Sequence, residues 1–269
     1  MRKKKKYVLF LIGILLVGIA GFSYAITHKA EVKNQFSRIK YYLYLNGKKN
    51  EIPEYKVILK KYHKYPTDLL QLAVDNKEAV EFVRNYIGNK DTATDFDLTA
   101  EDFNYGEVPL LIQWDKRWGY SGYGDNIIGI NGCGPTCMAM IYIALSGDLS
   151  MNPKEMSDFS MNSGYYNENG TVWAFMTEGA SKLGLTSREV ELNEDEMIKE
   201  LANNHLIILS MKPGDFTKTG HFIVVTGYVN NAFTIHDPNS FARSEKMWDY
   251  DTLINQSKKM WVYSVAKEQ

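Results

Sequence analysis

The residue of this sequence best suited to covalent chemistry is Cys133. It lies in NGCGPTCMAMIYIALSG, residues 131–147, between two glycines and just ahead of a proline, a threonine and an apolar run. A thiol attacks as its thiolate, and a free cysteine titrates near pH 8.5, so a cysteine nucleophile needs help at neutral pH. Pro135 fits a first helical turn, where its missing N–H costs nothing. Met138, Ala139, Ile141, Tyr142 and Leu145 then continue an almost wholly apolar helix that must be buried on most sides. Such a helix points its positive end and first-turn N–H groups at the sulfur, and the same groups can hold an oxyanion. The bland alternative is a small buried cysteine in a turn. The Gly-Cys-Gly-Pro-Thr frame, which exposes the side chain, argues against it. Cys137, one turn further on, reads as core. A bridge between the two needs geometry that a single helix does not offer, and no second Cys/His pair has zinc-ligand spacing, so no metal site is expected.

A cysteine nucleophile wants an imidazole beside it. Of the five histidines, His28 follows an apolar N-terminal run, His63 lies in a helical stretch and His205 ends another helix. His221 and His236 remain. His221 opens GHFIVVTGY at 220–228, a strand pattern rich in buried residue types, which puts it at the mouth of a strand facing a cleft. Asn230-Asn231 reads as a tight hairpin turn, and residues 232–236 as the return strand. If the two strands pair antiparallel, Asp237 at the end of one comes beside His221 at the start of the other. Its carboxylate can then fix the imidazole tautomer. His236 reads as structural, and a plain turn residue before Pro238 is the alternative for Asp237.

The elements that must position these groups can be read along the chain. Arg2 to Lys6 form a basic cap, and Tyr7 to Ile26 follow without a charge, long enough for one bilayer crossing. The basic residues place the remainder outside. Two readings of residues 1–26 stand side by side: an uncleaved membrane anchor, or a signal peptide cut near Ser23-Tyr24-Ala25. Residues 27–106 read as a helical pre-domain and linker. Glu31 to Glu51 reads as a surface helix or stalk with a turn or loop at 46–50, and two short helices follow from Pro53 to Gly88 with a break at Asp75-Asn76. The acidic stretch 89–106 lacks the ordered spacing of a calcium loop and reads as a solvated linker. The main domain runs from 107 to 269. Helices are predicted at 135–146, at 153–163 and over Thr171–Leu183 with Thr171 as N-cap, then strands at 186–192, 206–211, 221–229, 232–236 and 260–265. Helices first and an antiparallel sheet later make an α+β fold. The loops at 119–131 and 164–170 are expected to line the cleft.

Composition narrows the partners. Removing the five positive charges of Arg2–Lys6 from a net −1 leaves −6 on the rest, with no basic run or basic–aromatic interleaving, so nucleic acid is not an expected partner. The glycines at 119–129 lack the Lys of a phosphate loop, so no nucleotide is expected either. Two cysteines make no disulfide scaffold.

Gln113, GCGPT at 132–136, GHFIVVTGY at 220–228 and DPNS at 237–240, in that order, resemble the bacterial cysteine peptidases related to the double-glycine leader peptidases of bacteriocin export, members of the papain-like superfamily. The resemblance covers about Val108 to Val265. The stretch YPTDLLQLAVDNKEAVEFVRNYIG at 65–88 is similar to the helical lead-in of exported, stand-alone members. The resemblance implies a papain-like fold, Cys133 as nucleophile, His221 as general base and acid, Asp237 as orienting carboxylate and Gln113 as oxyanion donor, with no cofactor or metal. No transporter or ATP-binding cassette domain follows in this sequence, so leader processing coupled to export is not expected to carry over. The expected activity is therefore an exported or membrane-anchored peptidase acting on a peptide or protein outside the cell. Two rivals are a cell-wall amidase or endopeptidase of the NlpC type and a surface binding protein on a decayed hydrolase fold.

Overall fold

The computed structural model describes residues 27–90, 98–99 and 107–265. The expected anchor or signal segment at 1–26 and most of the acidic linker, with its calcium reading, lie outside the described residues. Among the described residues no helix is long and apolar enough to cross a membrane.

The chain divides into two compact units, residues 1–75 and 76–269. The first is helical. Lys29–Lys48 packs on the helices Glu54–Lys60 and Thr67–Asp75. Leu45, Tyr55, Ile58, Leu69, Leu70 and Ala73 are buried. Arg38 ties the short segments together by donating to the carbonyls of Tyr65 and Tyr62. The turn expected at 46–50 begins later, because the helix continues to Lys48, where Lys48 pairs with Glu51.

The second unit begins ahead of the helix Val80–Asn89 and is built around five strands. Two small hairpins come first, β1 (Gly122–Tyr123) with β2 (Asn126–Ile127), and β3 (Tyr166–Asn167) with β4 (Gly170–Thr171). The main sheet holds β5 (Leu185–Val190), β6 (Leu206–Met211), β7 (His221–Val229), β8 (Ala232–His236) and β9 (Ser257–Val265), in the order β5-β9-β6-β7-β8 and antiparallel throughout. All six residues of the central strand β6 are buried, so both faces of the sheet are covered. Alternation sorts them. Leu206 and Ile208 join Phe222, Val224, Trp261 and Tyr263 against the helix Cys133–Ser146. Ile207, Leu209 and Met211 join Ile223, Val225 and Val262 on the other face, closed by Met197 and Leu253 from two further helices. A fully buried aliphatic side chain contributes roughly 1.5–3 kcal/mol. The two-sided core is what anchors the sheet ends where the chemistry-bearing residues sit. The helix Cys133–Ser146 is buried along most of its length, as its unbroken apolar sequence requires.

The hairpin turn at Asn230-Asn231 is present. Both residues have positive φ, 51° and 60°, the left-handed pair that a two-residue hairpin needs and asparagine tolerates. The helix predicted over Thr171–Leu183 is not. Thr171 belongs to β4, where it pairs with Tyr166, and its hydroxyl bonds the Tyr123 hydroxyl at 2.8 Å instead of capping a helix. A 3₁₀ turn at Trp173–Met176 and a short helix at Glu178–Lys182 follow. Amphipathic spacing alone does not reveal that Thr171 is held by a tertiary partner.

Candidate active site

Cys133 is the first residue of its helix, after the short helix Ile128–Asn131 and Gly132. Both flanking glycines are required by close approach. A Cβ on Gly132 would lie 2.5 Å from Ile128 Cγ2, and one on Gly134 would lie 2.7 Å from Thr171 Oγ1. The bare backbone lets β4 pack directly on the first turn that carries the thiol. Cys133 is half-buried, while Cys137 is fully buried, and burial pushes the Cys137 thiol well above its ordinary range. The first faces a cleft and the second faces the core.

His221 opens β7 opposite Met211 of β6 and is only 7% exposed. Asp237 follows the last residue of β8 and is 0% exposed. Antiparallel pairing of β7 with β8 brings them together, with His221 Nε2 2.7 Å from Asp237 Oδ1. With Nε2 committed to the carboxylate, Nδ1 is left for the hydrogen bond that His221 shares with Cys133. Burial pulls the imidazole's proton affinity down, but Asp237 and then Cys133 outweigh it and raise the His221 pKa to about 10. Burial pushes Asp237 the other way, yet His221 and Arg243 hold its carboxyl below the usual carboxylate range. A protonated imidazole between a carboxylate and a sulfur is the result.

Cys133 and His221 line one cleft of about 650 Å³ with Asn131, Thr171, Trp173 and Phe222. The loops expected to border it contribute Ile130 and Asn131 from one side and Asn167, Asn169 and Gly170 from the other. Asn131 and Tyr166 converge on Asp125 at this rim, the Asn131 amide donating at 3.0 Å and the Tyr166 hydroxyl at 2.6 Å.

Gln113 is buried beside this arrangement and does not line the cleft. Its Nε2 donates to the carbonyls of Gly129 at 3.1 Å and Ile130 at 3.3 Å, while Oε1 has no hydrogen-bond partner. Turning the amide over would set Oε1 against two carbonyl oxygens, so the described orientation is the favourable one. In this geometry Gln113 braces the loop leading into Cys133, and its backbone N–H donates to Pro238 at 2.7 Å, next to Asp237. His236 donates from Nδ1 to the Pro109 carbonyl at 3.1 Å and so tethers the start of this domain.

Residues without any signal in the sequence complete the surroundings. Arg243 Nε donates to Asp237 Oδ2 at 2.5 Å. Trp114 Nε1 donates to Asn239 Oδ1 at 3.0 Å, and Asn76 Nδ2 to the Asn239 carbonyl at 2.6 Å. An arginine in a charged stretch such as RSEK reads as a solvated residue. Only the fold of the DPNS turn aims it inward.

The sequence model of the Peptidase_C39 like family matches residues 105–268, more than half of the chain. The chain belongs to this family, within the papain-like superfamily, and its α+β arrangement of a central helix against an antiparallel sheet agrees with it. Among solved structures it is similar to the peptidase domain of Streptococcus ComA, described as a bifunctional ABC transporter involved in a quorum-sensing pathway. That match is 20% identical with a TM-score of 0.40, covering 51% of this chain and 93% of that one. A C39-like peptidase from Bacillus anthracis is 13% identical with a TM-score of 0.41, covering 61% of this chain and 97% of that one. No curated protein matches the chain.

Proposed function

We propose that this chain is a cysteine peptidase that hydrolyses peptide bonds through an acyl-enzyme on Cys133. The observation that carries the reading is the buried pair of His221 Nε2 and Asp237 Oδ1, 2.7 Å apart, on the wall of the cleft that also holds Cys133. The Cys133 sulfur attacks the amide carbon, and the carbonyl π electrons move onto its oxygen. First-turn backbone N–H groups of the helix face that developing charge. His221 passes its proton to the leaving nitrogen as the C–N bond breaks, leaving a thioester and a free amine. The neutral imidazole then takes a proton from water, whose oxygen attacks the thioester, and Cys133 departs as the acid is released. Asp237 holds the imidazole in the tautomer that leaves Nδ1 to the sulfur.

Gln113 joins the oxyanion site by turning its amide away from Gly129 and Ile130; with those bonds kept, it acts as a brace. The charge-free segment Tyr7–Ile26 behind its basic cap supports action outside the membrane, on a peptide or protein substrate. The test is hydrolysis of a quenched-fluorescence peptide library by the full chain, beside Cys133→Ala and purified murein. Peptide cleavage lost in the variant is expected. Cleavage retained by Cys133→Ala, or activity on murein alone, contradicts the proposal.

A further inference from the structure

Asp237 is itself held from behind. Its Oδ1 accepts from His221 Nε2 and from the Asn239 N–H, each at 2.7 Å, and its Oδ2 accepts from Arg243 Nε at 2.5 Å. A fully buried carboxylate is costly unless paired and hydrogen-bonded. With His221 protonated, the charges alternate from imidazolium to carboxylate to guanidinium, so each oxygen of the buried carboxylate faces a cation.

Arg243 sits on the one-turn helix Phe241–Ser244, far too short to be stable by itself. Two groups cap its start. Ser240 Oγ accepts from the Arg243 N–H at 3.1 Å. Glu78 accepts from the Ser240 hydroxyl at 2.7 Å through Oε1 and from the Phe241 N–H at 2.6 Å through Oε2. Glu78 is 163 residues upstream of Phe241 and lies outside the family-matched segment 105–268.

We propose that Arg243, set in place by Glu78 through the helix Phe241–Ser244, is a positioning residue that fixes the Asp237 carboxylate on His221, so that the working site extends upstream to Glu78. The proposal rests on the reading of Cys133, His221 and Asp237 given above. It differs from a mere charge contact in the sign of one effect. A cation acting only through its field lowers the proton affinity of a nearby imidazole, and its removal raises it. An arginine that holds the carboxylate on the imidazole does the opposite. The charged and titratable groups around His221 are Asp237 and Cys133, with Arg243 one step behind and Lys258 on the same cleft.

The experiment is a ¹⁵N-histidine NMR titration of the full chain, following His221 in the wild type, Arg243→Gln, Arg243→Lys and Glu78→Ala. Loss of a fixed opposite charge lowers an imidazole midpoint by about 1–3 pH units. A fraction of that drop is expected for Arg243→Gln, where the carboxylate keeps its charge but loses its hold from behind, with most of it restored in Arg243→Lys and a smaller drop in Glu78→Ala. A His221 midpoint that is unchanged or raised in Arg243→Gln overturns the proposal. If Arg243→Gln does not fold, Glu78→Ala decides it: this variant keeps Cys133, His221, Asp237 and Arg243, and an unchanged midpoint overturns the proposal equally. Failure of the peptidase reading has a separate signature, peptide cleavage retained by Cys133→Ala, which no titration result mimics.

Discussion

Replacing Asp237 with asparagine tests whether the carboxylate is what charges His221. The amide keeps an oxygen for His221 Nε2 but removes the charge, and it sets an N–H₂ group or a second neutral oxygen against the Arg243 guanidinium. In the wild type His221 titrates at about 10 in the folded protein against 6.5 for the free side chain. A folded pKa above the unfolded one gives stability that is complete below pH 6.5 and is lost as pH rises through the folded value near 10. Within that window the unfolded chain has released a proton that the folded one retains, so stability falls by about 1.4 kcal/mol per pH unit from this group. Removing a carboxylate at hydrogen-bond distance lowers the histidine's folded pKa by about 1–3 units, equivalent to roughly 1.4–4 kcal/mol. The stability gap between wild type and Asp237→Asn is therefore widest just below pH 6.5, where His221 is protonated in both folded and unfolded chains and Asp237 is still ionised. It narrows by roughly 1.4–4 kcal/mol as pH rises from about 6.5 to about 10. Urea unfolding of both proteins across that range, at fixed ionic strength, measures it. A gap that stays constant or widens with pH refutes the assignment of the imidazolium to the Asp237 pair.

Three further outcomes follow from the same geometry. Gly134→Ala sets a methyl group 2.7 Å from Thr171 Oγ1, so it costs about 1–3 kcal/mol by thermal or urea unfolding and lowers turnover by tilting the first turn. Cys137→Ser places a hydroxyl in a fully buried site and destabilises by about 1–3 kcal/mol, while alkylation at Cys133 stays at the wild-type rate in mass spectra. Gln113→Ala separates its two roles. An oxyanion donor costs about 10²–10³ in kcat with KM little changed, whereas a brace for the Gly129–Ile130 loop costs stability and raises KM.

The parts legible in the sequence were those carried by local pattern. The apolar run after Pro135 fixes a buried helix because no solvent-facing stripe is available to it, and the strands at 206–211, 221–229 and 232–236 are bounded by turn residues that leave little choice of limits. Asn230-Asn231 sets the register of the first pairs, Val229 with Ala232 through Gly227 with Thr234, while a bulge between Val225 and Gly227, which the sequence pattern does not show, shifts it before Asp237 reaches His221. What sequence pattern hides is long-range and polar. Thr171 looks like a helix cap until Tyr123 claims its hydroxyl. The neighbours of Gln113 are backbone carbonyls, which no residue type announces. Arg243 and Glu78 meet through a one-turn helix, and the sequence separation between them carries no periodic signal.

The most direct test of the central claim is alkylation of the full chain with iodoacetamide at neutral pH, read by intact mass and peptide mapping in the wild type and in His221→Ala. The account predicts a single fast adduct on Cys133, none on buried Cys137, and a rate that falls by an order of magnitude or more, about tenfold at least, when the imidazole is removed. A Cys133 that labels at the same rate in both proteins, or no faster than a free thiol in the wild type, contradicts it.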